Sequence, residues 1–372
     1  MLIPRSVHPL PGESEREARL LTLLNASAGR RVVIVGDLIA DEFIYGRVAR
    51  VSREAPVLIL QYDSTEIVPG GAGNAANNVA ALGGRARLVG VVGQDEAGKR
   101  LIAAVRGRMD TGGLVSAPGY RTPVKTRILA GGIHSAKQQV VRIDRVVTGD
   151  YDARARAAFD RAALAAVSDC DAVLVSDYGT GLVTPGLVRR LRRRIHARSR
   201  RRPVPILVDS RYDLLRYQAL TACTPNESEV EQMLDRHIGD NVKALERAGR
   251  DILKRTRMKA VLITRGSRGM ALFESGRPTI HLPIFGADEV ADVTGAGDTV
   301  IATLALVLAA GASFYEAARL ANYAGGLVVM KRGTATVTPD ELMNAITSEH
   351  VAPTESWSQE GPAQGRRKGE MG

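Results

Sequence analysis

A chain of 372 residues that is 45% hydrophobic and 24% charged suits a globular protein with a sizeable core, built as one large domain or two medium ones. Aromatics are few, at 4%, and glycines many, at 38, which favours an α/β enzyme over a β-sandwich. The two cysteines, Cys170 and Cys223, form no C-x-x-C pair, which argues against disulfides and a zinc site and fits a reducing, cytoplasmic setting.

Residues 1–12 carry Arg5, His8 and three prolines with no apolar run, so no secretory signal is expected. Residues 1–29 read as an N-terminal extension with an amphipathic helix over 13–24, ahead of the buried strand "RVVIVGD" at 31–37. Segments 54–68 and 120–143 are rich in Val, Ile and Thr with polar alternation, and predict a small sheet separate from the core. Between them, "GGAGNAANNVAALGG" (70–84) reads as a helix entered and left through glycine, followed by the strand "RLVGVVG".

From residue 153 a regular alternation sets in. A helix over 153–167 precedes the strand 171–177, a helix over 185–198 precedes the strand 204–210, and a short strand lies near 222–226. A helix over 241–256 then leads into the strand 260–266. Apolar strands alternating with helices predict a parallel sheet covered on both faces. Asp37, Asp177 and Asp209 end three of the strands, and in open parallel sheets the ligand cleft lies beyond those ends.

The net charge of +11 raises a nucleic-acid reading, but nine arginines lie in 189–202 and the rest of the chain carries only +2. Leu187, Leu191 and Ile195 repeat every four residues there, so the arginines read as the wet face of an amphipathic helix. No aromatics interleave to stack bases, and no specific nucleic-acid partner is expected. After residue 346 the chain turns polar and rich in Pro and Gly, and 347–372 reads as a disordered tail.

Two glycine motifs are decoys. "GQDEAGKR" (93–100) fits G-x-x-x-x-G-K but continues with Arg100 where a phosphate loop needs Ser or Thr, and it carries Asp95 and Glu96. "GGAGNAA" (70–76) imitates a dinucleotide fingerprint, yet Pro69 precedes it and the better first strand lies far upstream.

The informative stretch is "ADVTGAGDT", 291–299. Gly295, Ala296 and Gly297 offer little beyond backbone N–H groups. The uncharged run Thr299–Tyr315 that follows reads as a buried core helix, 17 residues long and broken up by Thr303, Gly311 and Ser313, not as a membrane span. Orphan N–H groups at a helix start form an anion site. Asp298 beside an anion makes chemical sense as the base that deprotonates the group attacking it; the structural alternative is a carboxylate serving the first helical turn. "TPNESE" (224–229) sets Asn226 and Glu229 three apart, a spacing that suits a shared Mg2+–phosphate assembly or a helix cap. Thr264, Gly266 and Gly269 in "ITRGSRG" suit close backbone approach by a nucleotide, and Asn322 with the small residues of "ANYAGGLVV" suits the wall of an adenine site.

In this order, these stretches resemble the ribokinase/PfkB family of carbohydrate kinases over residues 30–346, through "GGAGNAANNVAALGG", "GQDEAG", "SDYGTG", "TPNESE" and "DVTGAGDT". Within it the likeness is greatest to kinases of D-glycero-D-manno-heptose 7-phosphate, through "VGDLIADEFIYGRVARVSREAPV", "KTRI", "QQVVRID" and "SDYGTGLVT". The resemblance implies a ribokinase-like three-layer α/β/α sandwich with a small β-sheet lid (within 41–68 and 119–149). It also implies transfer of the ATP γ-phosphate to the C1 hydroxyl of a sugar phosphate. Asp298 would be the base, with Gly295, Ala296 and Gly297 as the anion hole. Asn226 and Glu229 would order Mg2+ through water, and Thr264, Gly266, Gly269, Asn322 and Gly325 would line the ATP site. Asp37, Asp41, Gly70, Gly71 and Asn74 would hold the sugar, with Lys125, Arg127 and Asp177 nearby, and Asp292 would belong to a K+ site. The lid would pair two subunits into a homodimer.

Arg53 stands where the heptose kinases usually have proline, and "DSRYD" (209–213) replaces their Asp-Pro-Lys-Gly. No H-x-G-H motif occurs, so the expectation is a kinase whose product passes to a separate nucleotidyltransferase. Alternatives are a kinase of this family acting on fructose, ribose or another sugar phosphate, and a non-catalytic sugar sensor. The intact 294–298 turn argues against the sensor.

Overall fold

Successive residues of the first strand bury on opposite sides: Val32 and Ile34 belong to one apolar cluster, Val33 and Val35 to a second. A strand buried on both faces needs helices on both, which is the three-layer arrangement seen here. The computed structural model describes residues 12–131, 137–145, 151–198, 203–286, 292–331 and 333–348.

The strands are β1 (Arg31–Gly36), β2 (Leu38–Val51), β3 (Leu58–Gly71), β4 (Arg85–Gly93), β5 (Asp110–Ala117), β6 (Val124–Gly131) and β7 (Gln138–Arg145). They continue with β8 (Ala172–Asp177), β9 (Ile206–Ser210), β10 (Ala222–Cys223), β11 (Ala260–Thr264), β12 (Met270–Glu274) and β13 (Ile280–Leu282). The helices are α1 (Glu13–Ser27), α2 (Ala72–Ala81), α3 (Glu96–Val105), α4 (Ala153–Ala166), α5 (Pro185–Arg198), α6 (Glu227–Leu234) and α7 (Val242–Thr256). The last three are α8 (Ala296–Ala310), α9 (Phe314–Val329) and α10 (Pro339–Ser348).

Nine strands form the main sheet in the order β13-β12-β11-β10-β9-β8-β1-β4-β5. It is parallel from β5 to β11, with β12 and β13 antiparallel at the edge. Helices α1, α2, α3, α8, α9 and α10 cover one face, and α4, α5, α6 and α7 the other. The second sheet, the lid, has the order β3-β2-β6-β7. It consists of two hairpins, β2–β3 and β6–β7, joined by a parallel seam from Ala40↔Val124 to Arg47↔Gly131.

Three expectations change. The uncharged run is not one helix: α8 closes at Gly311, which takes φ 100°, and Ser313 opens α9 through a capping box with Glu316. The segment preceding β1 is part of the core, since Leu20, Leu23 and Leu24 of α1 bury within the main cluster. The lid strand expected from residue 54 begins at Leu58, because 52–57 form the hairpin turn.

The arginine-rich helix behaves as its spacing predicts, with Leu187, Leu191 and Ile195 buried and Arg193 and Arg194 exposed. Among the described residues no helix is long and apolar enough to cross a membrane. The expected tail lies outside the described residues, except Thr347 and Ser348, which end α10.

Candidate functional site

The first turn of α8 stands beyond the carboxyl ends of the parallel strands. Gly295 takes φ 81°, and a Cβ there would fall 2.6 Å from Asn74 Nδ2; Gly297 has nothing within 4 Å of its Cβ position. Ala296 N–H is taken by Val293 O at 3.3 Å and Thr299 N–H by Gly295 O at 3.1 Å, whereas the N–H groups of Gly297 and Asp298 find no acceptor among the described residues. Open donors at the positive end of a helix dipole suit an anion, the chemistry expected of this turn from the sequence.

Asp298 sits buried within that turn. Asn74 donates to its Oδ2 at 2.8 Å and the Tyr178 hydroxyl to its Oδ1 at 3.1 Å. Asn78 fixes Asn74 by donating to its carbonyl and side-chain oxygens, at 3.0 and 3.2 Å, and accepts from Thr299 Oγ1 at 2.9 Å. Burial raises the Asp298 pKa to about 6, against the opposing effect of the two donors. A carboxylate poised there is ionised at neutral pH yet basic enough to take a proton.

On one side of this turn lies a cleft of about 410 Å³, lined by Asn226, Thr264, Gly266, Gly269, Asn322 and Gly325 together with Ala296, Gly297, Val300 and Val329. All five residues expected at the nucleotide site line it. Its walls explain the small residues: a Cβ on Gly269 would fall 2.1 Å from Leu282 O, and one on Gly325 would touch Val300 at 3.0 Å. Asn322 is tied to Pro283 O at 2.7 Å. Glu227, buried, accepts from Arg265 at 2.7 Å and also from Arg268, which fastens the "TPNESE" and "ITRGSRG" segments together.

On the other side the lid sheet turns one face toward Asp298. Lys125, half-buried, stands 5.1 Å from the ring centroid of Tyr178, and burial lowers its pKa against the pull of Asp41. Asp41 and Arg127 form a buried pair at 2.5 Å, with the guanidinium over Phe43. Arg142 and Arg211 lie close enough to depress the Lys125 pKa further. Arg53 is exposed in the β2–β3 turn.

Behind the turn, Asp209 has no hydrogen-bond donor among the described residues. Burial drives its pKa well up, and the carboxylates of Glu229, Asp298 and Asp177 add to the effect. Asn226 and Glu229 cap α6 for each other: Glu229 Oε2 accepts from Asn226 N–H at 3.0 Å, and Asn226 Oδ1 from Glu229 N–H at 2.9 Å. The Glu229 pKa is also raised by burial. A divalent cation would relieve Asp209 and Glu229 together, so the donor set fits one.

A cleft walled by small residues, a helix start with open N–H groups and a buried carboxylate with a raised pKa together suit phosphoryl transfer. The model of the pfkB family carbohydrate kinases matches residues 30–341. The chain belongs to that family. It is 43% identical over 339 residues to the bifunctional protein HldE of Caulobacter sp. strain K31, covering 90% of this chain and 66% of the relative. It is 39% identical to the HldE of Trichlorobacter lovleyi, over 88% of this chain and 65% of that one. It therefore spans just under two thirds of these relatives.

The fold is shared with Arabidopsis thaliana ribokinase solved with ribose and ATP (TM-score 0.63, 21% identity, 86% of this chain and 99% of that one). It is also shared with Escherichia coli phosphofructokinase-2 solved with potassium (TM-score 0.67, 17% identity, 86% and 98%).

Among pfkB-family features, several residues expected at the sugar are committed to protein partners in this chain. Both oxygens of Asp37 accept from the 178–180 loop: Tyr178 N–H at 2.8 Å, Thr180 N–H at 3.3 Å and Thr180 Oγ1 at 2.6 Å. Asp177 accepts from Ser210 at 2.8 Å, Tyr217 at 2.6 Å and Gly179 N–H at 3.1 Å. Asn74 donates to Asp298. Gly70 and Gly71 allow close approach, since their Cβ atoms would fall 2.3 Å from Asp41 Oδ2 and 2.6 Å from Asp37 O.

Asp292 accepts from Thr294 N–H at 2.9 Å and Gly333 N–H at 3.1 Å, which makes it a brace for the turn. Asp95, in the decoy loop, caps α3 and binds Thr122. Sequence reasoning did not single out Tyr178, Glu227 or Asn78. It noted Asp209 as a strand end and within the "DSRYD" stretch, not as a metal ligand.

Proposed function

We propose that this chain transfers the γ-phosphoryl group of ATP to the C1 hydroxyl of D-glycero-D-manno-heptose 7-phosphate. The observation that carries the reading is Asp298: a buried carboxylate with its pKa raised to about 6, held by Asn74 and Tyr178 between the cleft and the charged face of the lid. With the nucleotide in the cleft, its terminal phosphate reaches the open N–H groups of Gly297 and Asp298. The sugar lies under the lid with its reacting hydroxyl at Asp298, which accepts the proton as the oxygen attacks phosphorus. The N–H groups and helix dipole stabilise the equatorial oxygens as charge builds on them.

Asp209 and Glu229 would hold Mg2+, which supplies neutralisation of phosphate charge when bound. No step is assigned to a monovalent cation, because both oxygens of Asp292 accept backbone N–H groups. Lys125, with Arg211 near it, supports a substrate bearing a second, terminal phosphate. Support for the heptose comes from the sequence likeness in 35–57, 125–128, 138–144 and 176–184.

The product, a heptose 1,7-bisphosphate, carries the anomeric phosphate on which a separate nucleotidyltransferase acts further downstream. Exposed Val51, Val57, Leu58 and Tyr62 on one hairpin, and Val141 and Ile143 on the other, support a homodimer through the lid.

ADP release with a panel of heptose 7-phosphate, free heptose, fructose 6-phosphate, fructose and ribose tests the reading, with phosphorus NMR to locate the new ester. Turnover of another sugar and not the heptose phosphate would move the chain to a different substrate within the family. ATP consumption with none of them would favour the sensor.

A further inference from the structure

The chain crosses between core and lid four times: at Asp37 between β1 and β2, at Gly71 between β3 and α2, between β5 and β6, and between β7 and α4. All four crossings meet at one hydrogen-bonded group. Tyr120, on the β5–β6 crossing, and Tyr151, on the β7–α4 crossing, stack with ring centroids 4.6 Å apart and join hydroxyl to hydroxyl at 2.8 Å. The Tyr151 hydroxyl reaches Thr180 Oγ1 at 2.8 Å, and Thr180 donates to Asp37 Oδ1 at 2.6 Å. Asp37 also accepts, through its backbone oxygen, from Ala72 N–H at 3.0 Å, just past the Gly71 crossing.

The direction of the chain follows from its end. A carboxylate only accepts, so Thr180 gives its hydrogen to Asp37, Tyr151 gives to Thr180, and Tyr120 gives to Tyr151. Asp37 Oδ2 meanwhile holds the N–H groups of Tyr178 and Thr180, and Tyr178 donates to the base. Nothing in the proton transfer itself uses Asp37, Thr180, Tyr151 or Tyr120, yet Asp37, Thr180 and Tyr120 are buried, Tyr151 is partly buried, and all four side chains are hydrogen-bonded to one another.

We propose that Asp37, Thr180 and Tyr151 are positioning residues that join the seating of the lid to the placement of Asp298 through the Tyr178 loop. A lid displaced at its crossings pulls Thr180, and with it the Tyr178 phenol, out of register with the carboxylate. This rests on the kinase reading, but not on the heptose. The assay substrate is whichever panel sugar the wild type turns over fastest, so a wrong sugar assignment leaves the test intact.

Tyr151→Phe keeps the ring stack and removes one hydroxyl. The expected result is kcat lower by about 3- to 30-fold, since small misplacements near the reacting atoms are costly. The sugar KM should rise and the ATP KM stay unchanged. Thr180→Val should behave alike, and Thr180→Ser, which keeps the hydroxyl, should restore the rate. Because Tyr151 acts through Tyr178, the losses in Tyr151→Phe and Tyr178→Phe should combine to less than their product.

Hydrogen exchange gives a readout without turnover: the Tyr178 and Thr180 amides should exchange faster in Tyr151→Phe. A merely structural role lowers Tm and leaves kcat and both KM values at wild type; that result, fully multiplicative losses, or unchanged exchange at 178 and 180 overturns the proposal.

Discussion

The Tyr178 hydroxyl donates to Asp298 Oδ1 at 3.1 Å, and it is one of two protein donors that favour the ionised form of that carboxylate. The other is Asn74. Activity of a base with a pKa of about 6 falls as pH drops through 6, because the protonated form cannot accept. Tyr178→Phe removes a group that lowers the pKa, so the acid limb of kcat/KM should move to higher pH. A limb that stays in place would separate the phenol from the titration.

Asp298→Asn should cut kcat by about 10²- to 10⁴-fold while nucleotide affinity, measured by calorimetry, stays near wild type. It should also stabilise the fold at pH 8. The native carboxylate has a pKa raised above its unfolded value, so its ionised form costs stability above pH 6, and the cost vanishes as pH falls toward 4. Melting curves at pH 8 and pH 4 should show the Tm advantage of the variant at the first and little at the second.

Gly295 and Gly297 should respond differently to alanine. At Gly295 the backbone is left-handed and the new Cβ meets Asn74 Nδ2 at 2.6 Å, so Gly295→Ala should cost about 1–3 kcal/mol of stability and also disturb the base. At Gly297 the space is open, so Gly297→Ala should keep Tm and lose kcat through crowding of the phosphoryl group. Denaturation midpoints beside initial rates check both.

Asp209→Asn should raise the Mg2+ concentration for half-maximal rate by about 10- to 100-fold, the scale on which metal affinity responds to changes around a site. In EDTA the variant should melt higher than wild type, since a carboxylate whose charge is opposed by desolvation and by neighbouring carboxylates has been neutralised. An unchanged Mg2+ dependence would place the cation elsewhere.

Lys125→Ala should lower kcat/KM for a sugar phosphate by at least about 10-fold, a loss of roughly 1.4 kcal/mol, and leave the unphosphorylated sugar nearly unaffected. Lys125 also holds the Asp298 pKa down, so the acid limb should shift upward with both sugars. Equal effects of the variant on kcat/KM for the two sugars would remove the phosphate contact.

Apolar periodicity made the layers, the parallel sheet and the helix starts readable, because burial on two faces leaves a local trace in each strand. Partnerships across the chain leave none. Asp37 and Asp41 differ in function through Thr180, 143 residues away from one, and Arg127, 86 residues from the other. Tyr178 lies in a stretch the sequence marked, but its meaning depends on Asp298, 120 residues on.

The three-residue spacing of Asn226 and Glu229 fits two physical roles equally well, and the cap is the one the backbone reveals. The arginines of α5 read correctly as a wet face, except that Arg192 is also tied to the carbonyls of Gln218 and Ala219, at 3.0 and 3.1 Å.

The parallel seam between β2 and β6 joins two excursions of the chain that are each only a two-stranded hairpin. Such hairpins are marginal alone in water. Neither half can be completed until β1, β4 and β5 have docked and brought the two departure points side by side. The lid is therefore expected to complete its sheet after the core during folding. Once zipped it is one plate held at four attachments, because bending it midway would mean breaking the seam that made it.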